Sequence, residues 1–152
     1  MLKGYIQIYT GNGKGKTTAA FGLALRAVGA GLKVYIAQFV KGVEYSELES
    51  VKRLSDSITL KQYGLGFFVN REPDKDDVRA AREGLKEVRG IMCSGGYDLV
   101  ILDEANVAVY QDLFSVEDLL EFMRAKPENV ELVITGRRAD PRVMEAADLV
   151  TE

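Results

Sequence analysis

Histidine is absent from all 152 residues, and cysteine occurs once, at Cys93. Without imidazole the chain has no histidine for acid–base chemistry, no zinc site of the usual kind and no histidine ligand for a cofactor metal. A lone cysteine excludes an intrachain disulfide and lacks the partner thiols of a metal site, so Cys93 reads as a small helix residue. Long apolar runs are missing as well. None reaches the roughly 18 to 20 residues of a membrane helix, and Met1-Leu2-Lys3-Gly4 leads into a strand pattern without a signal-peptide core. The expectation is a cytoplasmic protein with no membrane partner. Nor is there an excess of positive charge: with a net charge of −3 and a pI near 5.2, nothing draws the chain as a whole to nucleic acid.

What is present is the composition of an ordinary globular domain, 47% hydrophobic and 28% charged. The length fits a single domain, residues 1–152, able to bury about two-thirds of its unfolded surface. Runs of β-branched and aromatic residues predict strands at Tyr5–Thr10, Lys33–Phe39, Ile58–Gln62, Leu99–Leu102, Val130–Thr135 and Leu149–Thr151. Between them, Lys16–Ala30 places Ala19, Ala20, Leu23, Ala24 and Ala27 on one helical face and stops at Gly29 to Gly31. Asp74–Met92 reads as an amphipathic helix opened by Pro73 at its first turn, with Val78, Ala81, Leu85 and Val88 inward. A capping box from Ser115 to Asp118 starts a helix over Val116–Arg124, and Asp140-Pro141 starts a short last one. Tyr63–Glu72 fits neither pattern and reads as a functional loop. Strands alternating with helices predict an α/β fold of three layers, with a mostly parallel central sheet of about six strands.

The segment Gly11-Asn12-Gly13-Lys14-Gly15-Lys16-Thr17-Thr18 follows the first strand and opens the alanine-rich helix, the setting a phosphate-binding loop needs. Its glycines let backbone amides turn toward a phosphate without Cβ obstruction, and the helix start adds partial positive charge. Lys16 supplies a full charge to the terminal phosphates and the Thr17 hydroxyl is a magnesium ligand, with Lys14 and Thr18 as further donors. The strict pattern has glycine where this chain has Thr10, so the loop is a variant whose backbone path is open. A second element supports the first. Leu99-Val100-Ile101-Leu102-Asp103-Glu104 is an apolar strand ending in two carboxylates, the form of a Walker B segment. Parallel strands deliver their C-terminal ends to one sheet edge, so Asp103 and Glu104 can meet the magnesium there. Asp103 as a cap for the following turn is the other reading. Together these features predict a P-loop NTPase of the RecA-like kind that binds ATP.

The ordered set Thr10–Ala20, Gln38-Phe39-Val40-Lys41-Gly42, Gly64-Leu65-Gly66-Phe67, Asp103-Glu104, Thr135-Gly136-Arg137 and Glu145–Glu152 resembles the ATP:corrinoid adenosyltransferases, P-loop type, over essentially the whole chain. That resemblance implies a reaction in which cobalt(I) of cobalamin or cobyrinic acid a,c-diamide attacks the 5′ carbon of ATP and releases tripolyphosphate. It implies Gly11 to Thr18 around the triphosphate, Thr17 and Glu104 on Mg2+ with Asp103 supporting them, and Lys16 as the largest electrostatic contribution. Phe67 and Phe68 would face the corrin, Phe67 helping to displace the lower axial ligand, although both also suit a loop anchored in the core. Val69 stands where members of that family often carry tryptophan, which leaves the preferred corrinoid open. Arg137 is either a phosphate or ribose contact or a surface arginine, and Gln38 and Lys41 are either corrinoid contacts or ordinary loop residues. The implied partners are a reductase or flavoprotein electron donor and a second copy in a homodimer. Relatives of that family usually extend further at both ends, so a dimer partner completes the site or the activity is altered. Two other functions fit less of the sequence: a conventional P-loop ATPase or kinase, on the Walker elements alone, and a nucleotide-binding module without turnover.

Overall fold

The computed structural model describes residues 3–40, 46–64 and 72–152. In chain order the elements are β1 (Ile6–Tyr9), α1 (Lys16–Gly29), β2 (Val34–Gln38), α2 (Ser46–Lys52), β3 (Ile58–Gln62) and α3 (Lys75–Met92). They continue with β4 (Leu99–Asp103), α4 (Ala105–Tyr110), α5 (Val116–Arg124), β5 (Glu131–Thr135), α6 (Pro141–Ala146) and β6 (Leu149–Thr151). All six predicted strands are present, within a residue or two of their expected ends.

The strands form one sheet in the order β3-β2-β4-β5-β1-β6, every pair parallel. Parallel strands need helical crossovers, and these cover both faces. Alternate residues of each strand therefore enter different cores. Val34, Ile36, Leu99, Ile101 and Val133 face α1, which reaches them through Ala20, Ala24 and Ala27. Tyr35, Ala37, Val100, Leu102, Leu132 and Ile134 face the opposite core, filled by Leu85, Val88 and Met92 of α3 and Leu119 and Phe122 of α5. Small alanines bring the α1 backbone close to the sheet, while Ala19, expected inside, is exposed and Leu23 half-buried.

Two helix starts use the same device. At α5 the expected capping box is present, Ser115 accepting from the Asp118 amide and Asp118 from the Ser115 amide. The start of α3 corrects the expectation for Pro73: Asp74 is the cap, paired reciprocally with Asp77, and Pro73 precedes it. An Asp-x-x-Asp box satisfies two amide donors, whereas proline in the first turn would only remove one. Helices α2 and α4 were not expected; α2 buries only Leu48, too little for a periodic signal. Among the described residues, no helix is long and apolar enough to cross a membrane.

Candidate functional site

The C-terminal edge of the sheet carries a row of polar residues. In register, Gln62 of β3 stands beside Gln38 of β2, Gln38 beside Asp103 of β4, and Tyr9 of β1 beside both Thr135 of β5 and Thr151 of β6. These positions continue the alternation that faces α1. Each strand there exchanges its last apolar residue for a polar one: Leu99, Ile101, then Asp103; Val34, Ile36, then Gln38; Val133, then Thr135. Gln38, Asp103 and Thr135 are wholly buried.

Buried polar groups must be hydrogen-bonded, and this row is. The Thr17 hydroxyl donates to Asp103 Oδ1 at 2.9 Å and the Thr135 hydroxyl to the same oxygen at 2.8 Å. Gln38 Nε2 donates to Asp103 Oδ2 at 3.2 Å, and Gln62 Nε2 to Gln38 Oε1 at 3.0 Å. Both oxygens of Asp103 are thus engaged, which suits a carboxylate that orients Thr17. With its O–H directed at Asp103, the Thr17 hydroxyl oxygen has the lone-pair character a magnesium ligand needs. Thr135 also accepts from the Glu104 amide at 3.0 Å, and Glu104 sits at φ 64°, a left-handed conformation that costs a non-glycine residue of order 1–3 kcal/mol.

The loop after β1 delivers the cationic wall. Gly15 caps α1 at φ 113°, a conformation open to glycine, and neither a side-chain cap nor an acidic residue occupies the first turn of that helix. Its amides and dipole are therefore directed at an incoming anion. The Lys16 ammonium lies on the Gly13 carbonyl. A cavity of about 420 Å³ is lined by Gly13 to Thr18, Glu104, Val107 and Arg137. Arg137 therefore shares one space with Lys16, Thr17 and Glu104. On the other side of the loop, a second cavity of about 400 Å³ takes in Lys14, Gln7, Tyr9, Ala19, Leu149 and Thr151. Asn12 is exposed and Gly11 packs near Glu152.

The Thr10 variation has a structural reason. Thr10 is buried, its amide donates to Thr151, and its hydroxyl accepts from the Ala139 amide at 3.3 Å. Glycine at that position would forgo the bond, which ties the loop to the turn after β5.

Gln38 lies beneath the site and its amide acts on Asp103. The Asp103 side chain accepts from Thr17, Thr135 and Gln38, and Glu104 occupies the N-cap position of α4 without a side-chain cap bond. Phe67, Phe68, Val69 and Lys41 lie outside the described residues. The start of the Gly64 segment is described: Tyr63 stacks on Phe39 at 5.6 Å and shares a 2.6 Å hydrogen bond with Tyr35. Burial pushes the Tyr63 phenol well above its ordinary pKa, and hydrogen bonds to Tyr35 and Glu87 add to the shift. Lys61, paired with Glu87 at 2.9 Å, holds that carboxyl below its usual range, with the Tyr63 hydrogen bond adding to it. Thr135, Asn106 and the two glutamines were not singled out together by motif; the polar ending of the α1-facing alternation is the signal that finds three of them.

Residues 2–152 match the family model described as ATP:corrinoid adenosyltransferase BtuR/CobO/CobP. The corrinoid adenosyltransferase of Pseudomonas aeruginosa is 34% identical over 151 residues, covering 99% of this chain and 74% of the relative. That of Escherichia coli K12 is 35% identical over 154 residues, covering 99% and 76%. Among solved structures, the flagellar accessory protein FlaH of Methanocaldococcus jannaschii superposes with a TM-score of 0.67 at 16% identity, over 99% of this chain and 71% of that one. The last likeness shows the fold alone, the expected α/β architecture with its six-stranded, all-parallel central sheet.

Proposed function

The chain belongs to the ATP:corrinoid adenosyltransferases, which use ATP to adenosylate a corrinoid, and from that membership we propose that it alkylates cobalt(I) and releases tripolyphosphate. In this reaction the cobalt electron pair forms the bond to C5′, the C5′–O bond breaks, and its pair leaves on the triphosphate. Negative charge therefore develops on the bridging oxygen of the leaving group, and catalysis consists of stabilising that charge and aligning carbon with cobalt.

The observation that carries the proposal is the single cavity holding the α1 amino end, Lys16, Thr17, Glu104 and Arg137. Lys16 moves from the Gly13 carbonyl to the phosphates, and Arg137 contacts the triphosphate from the opposite wall. The oxygen donors Thr17 and Glu104 fit Mg2+, which prefers one or two carboxylates together with substrate phosphates and water. Bound there, the ion neutralises phosphate charge. Asp103 holds Thr17 in place through Oδ1. Lys14 and the amides from Gly11 to Thr18 complete the phosphate cradle, and Phe67, Phe68 and Lys41 are assigned to the corrin side on family likeness. A reductase or flavoprotein supplies the electron for cobalt(I), and the working unit is a homodimer.

Product identification tests the reading. Protein incubated with Mg-ATP and chemically reduced cobalamin should give adenosylcobalamin and tripolyphosphate in equal amounts, and Lys16→Ala should lose both. ADP and phosphate as the main products, or undiminished turnover in Lys16→Ala, would overturn it.

A further inference from the structure

The turn after β5 presents Arg137 to the phosphate cavity, and it is attached at four points. The Gly136 amide donates to the Tyr9 carbonyl at 3.1 Å, and the Ala139 amide to the Thr10 hydroxyl at 3.3 Å. The Arg138 guanidinium, on a residue at φ 58°, stacks 4.6 Å from the centre of the Tyr110 ring. The fourth attachment comes from α4: Asn106 Nδ2 donates to the Gly136 carbonyl at 3.0 Å.

Asn106 is 1% exposed, and among the described residues its Oδ1 has no hydrogen-bond partner. A buried amide that leaves its acceptor unpaired is costly to hold, and an apolar residue would fill the space without that penalty. Among the described residues, its side chain makes one hydrogen bond, the donation to Gly136. The approach is close: a Cβ on Gly136, which sits at φ 129°, would stand 3.1 Å from Asn106 Cβ and 3.2 Å from the Val107 amide nitrogen. Asn106 follows Glu104 by two residues, so this bond joins the segment carrying the metal-facing carboxylate to the turn carrying Arg137. The Thr135 hydroxyl, accepting from the Glu104 amide, braces the same two segments from the sheet side.

We propose that Asn106 is a positioning residue that sets Arg137 against the triphosphate, at a fixed place relative to Glu104. The proposal rests on the reading of Arg137 as a triphosphate contact. Asn106 itself touches no substrate; it acts by holding the Gly136 carbonyl.

The test is a double-mutant cycle on affinity, read by calorimetry with inorganic tripolyphosphate and with Mg-ATP. Asn106→Ala and Arg137→Ala should each weaken tripolyphosphate by about tenfold, the effect of losing one directed charged contact. The double variant should be no weaker than Arg137→Ala alone, because the two residues act in series. Adenosine affinity should be unchanged throughout. Asn106→Leu, closer in bulk, replaces the alanine variant if the smaller residue prevents folding. Losses that multiply to roughly a hundredfold would make Asn106 an independent contributor and overturn the proposal. Wild-type affinity in Asn106→Ala would overturn it too. Wild-type affinity in Arg137→Ala would remove Arg137 from the phosphate site and this role with it, while the adenosylation products would still stand as measured.

Discussion

Replacing Thr135 by valine changes shape little but removes a hydroxyl that makes two hydrogen bonds in a wholly buried position. One is its donation to Asp103 Oδ1 at 2.8 Å, and the other is its acceptance from the Glu104 amide at 3.0 Å. Hydrogen bonds to a carboxylate contribute about 1.5–3 kcal/mol, and a buried amide left without an acceptor costs about 1–3 kcal/mol. Glu104 is held in a left-handed conformation, and its relaxation would recover part of the loss, so the expected destabilisation is about 2–4 kcal/mol. For a chain of this size that lowers Tm by roughly 5–15 °C. Thr135→Ser keeps the hydroxyl and loses one methyl group, and should cost only about 1 kcal/mol. Thermal and denaturant unfolding of the three proteins measure the difference, and Mg-ATP titration should show roughly tenfold weaker binding in Thr135→Val as Glu104 drifts. Valine and serine variants of equal stability, or a valine variant unfolding within about 1 °C of the parent, would refute the reasoning.

Two further predictions concern packing and charge. Gly84 and Gly90 both lie in α3, and helix propensity alone favours alanine at either by about 0.8–1 kcal/mol. A Cβ at Gly84 would stand 2.6 Å from Tyr63 Cδ1, whereas one at Gly90 meets nothing within 4 Å. Gly90→Ala should therefore raise Tm and Gly84→Ala lower it, overpacking costing about 1–3 kcal/mol; a rise in both would show that Tyr63 yields freely. Lys126 donates to the carbonyls of Gly4, Pro127 and Val130 at 3.1, 2.8 and 2.9 Å, and burial holds its pKa below the ordinary 10.5. In the alkaline range just below 10.5 the unfolded chain then binds more protons at this site, so its contribution to stability rises with pH. The raised Tyr63 pKa works the other way in the same range, so Lys126→Met should be about 1–3 kcal/mol less stable at neutral pH and its denaturant midpoint should fall more steeply with rising alkaline pH than the parent's; an unchanged slope would remove Lys126 as a contributor.

The sheet was legible because each strand is a short β-branched run bounded by polar or glycine residues, and burial on both faces of a parallel sheet demands such runs. Helices with a sustained apolar stripe, α1, α3 and α5, were legible for the same reason. The misses are short. In α4, Val107 and Val109 extend the apolar run of β4 beyond the carboxylates, and over six residues periodicity cannot separate strand from helix. At α3, proline points to a start one residue early: Pro73 is itself a first-turn signal, whereas the cap is the adjacent Asp74, paired with Asp77.

The site was legible where it is local in sequence and hidden where it is assembled across strands. Gly11 to Thr18 and Asp103-Glu104 stand in single segments whose chemistry is visible at once. Gln38 was visible only as a polar residue at the correct edge, and a polar edge residue suggests a ligand contact. Its role depends on which face it takes. Counting back through Ile36 and Val34 places it on the α1 side, in line with Asp103 and Gln62, where it is wholly buried and bonded to both. The same count along β4 and β5 puts Asp103 and Thr135 beneath Thr17. A row of buried polar groups at the edge of a sheet is expensive unless each finds a partner, and these do so chiefly from one another. Lys16, half-buried, and Arg137, exposed, line the cavity above this hydrogen-bonded layer. That is why substitutions in the buried layer, and not only at the cavity's cations, are predicted to change nucleotide affinity.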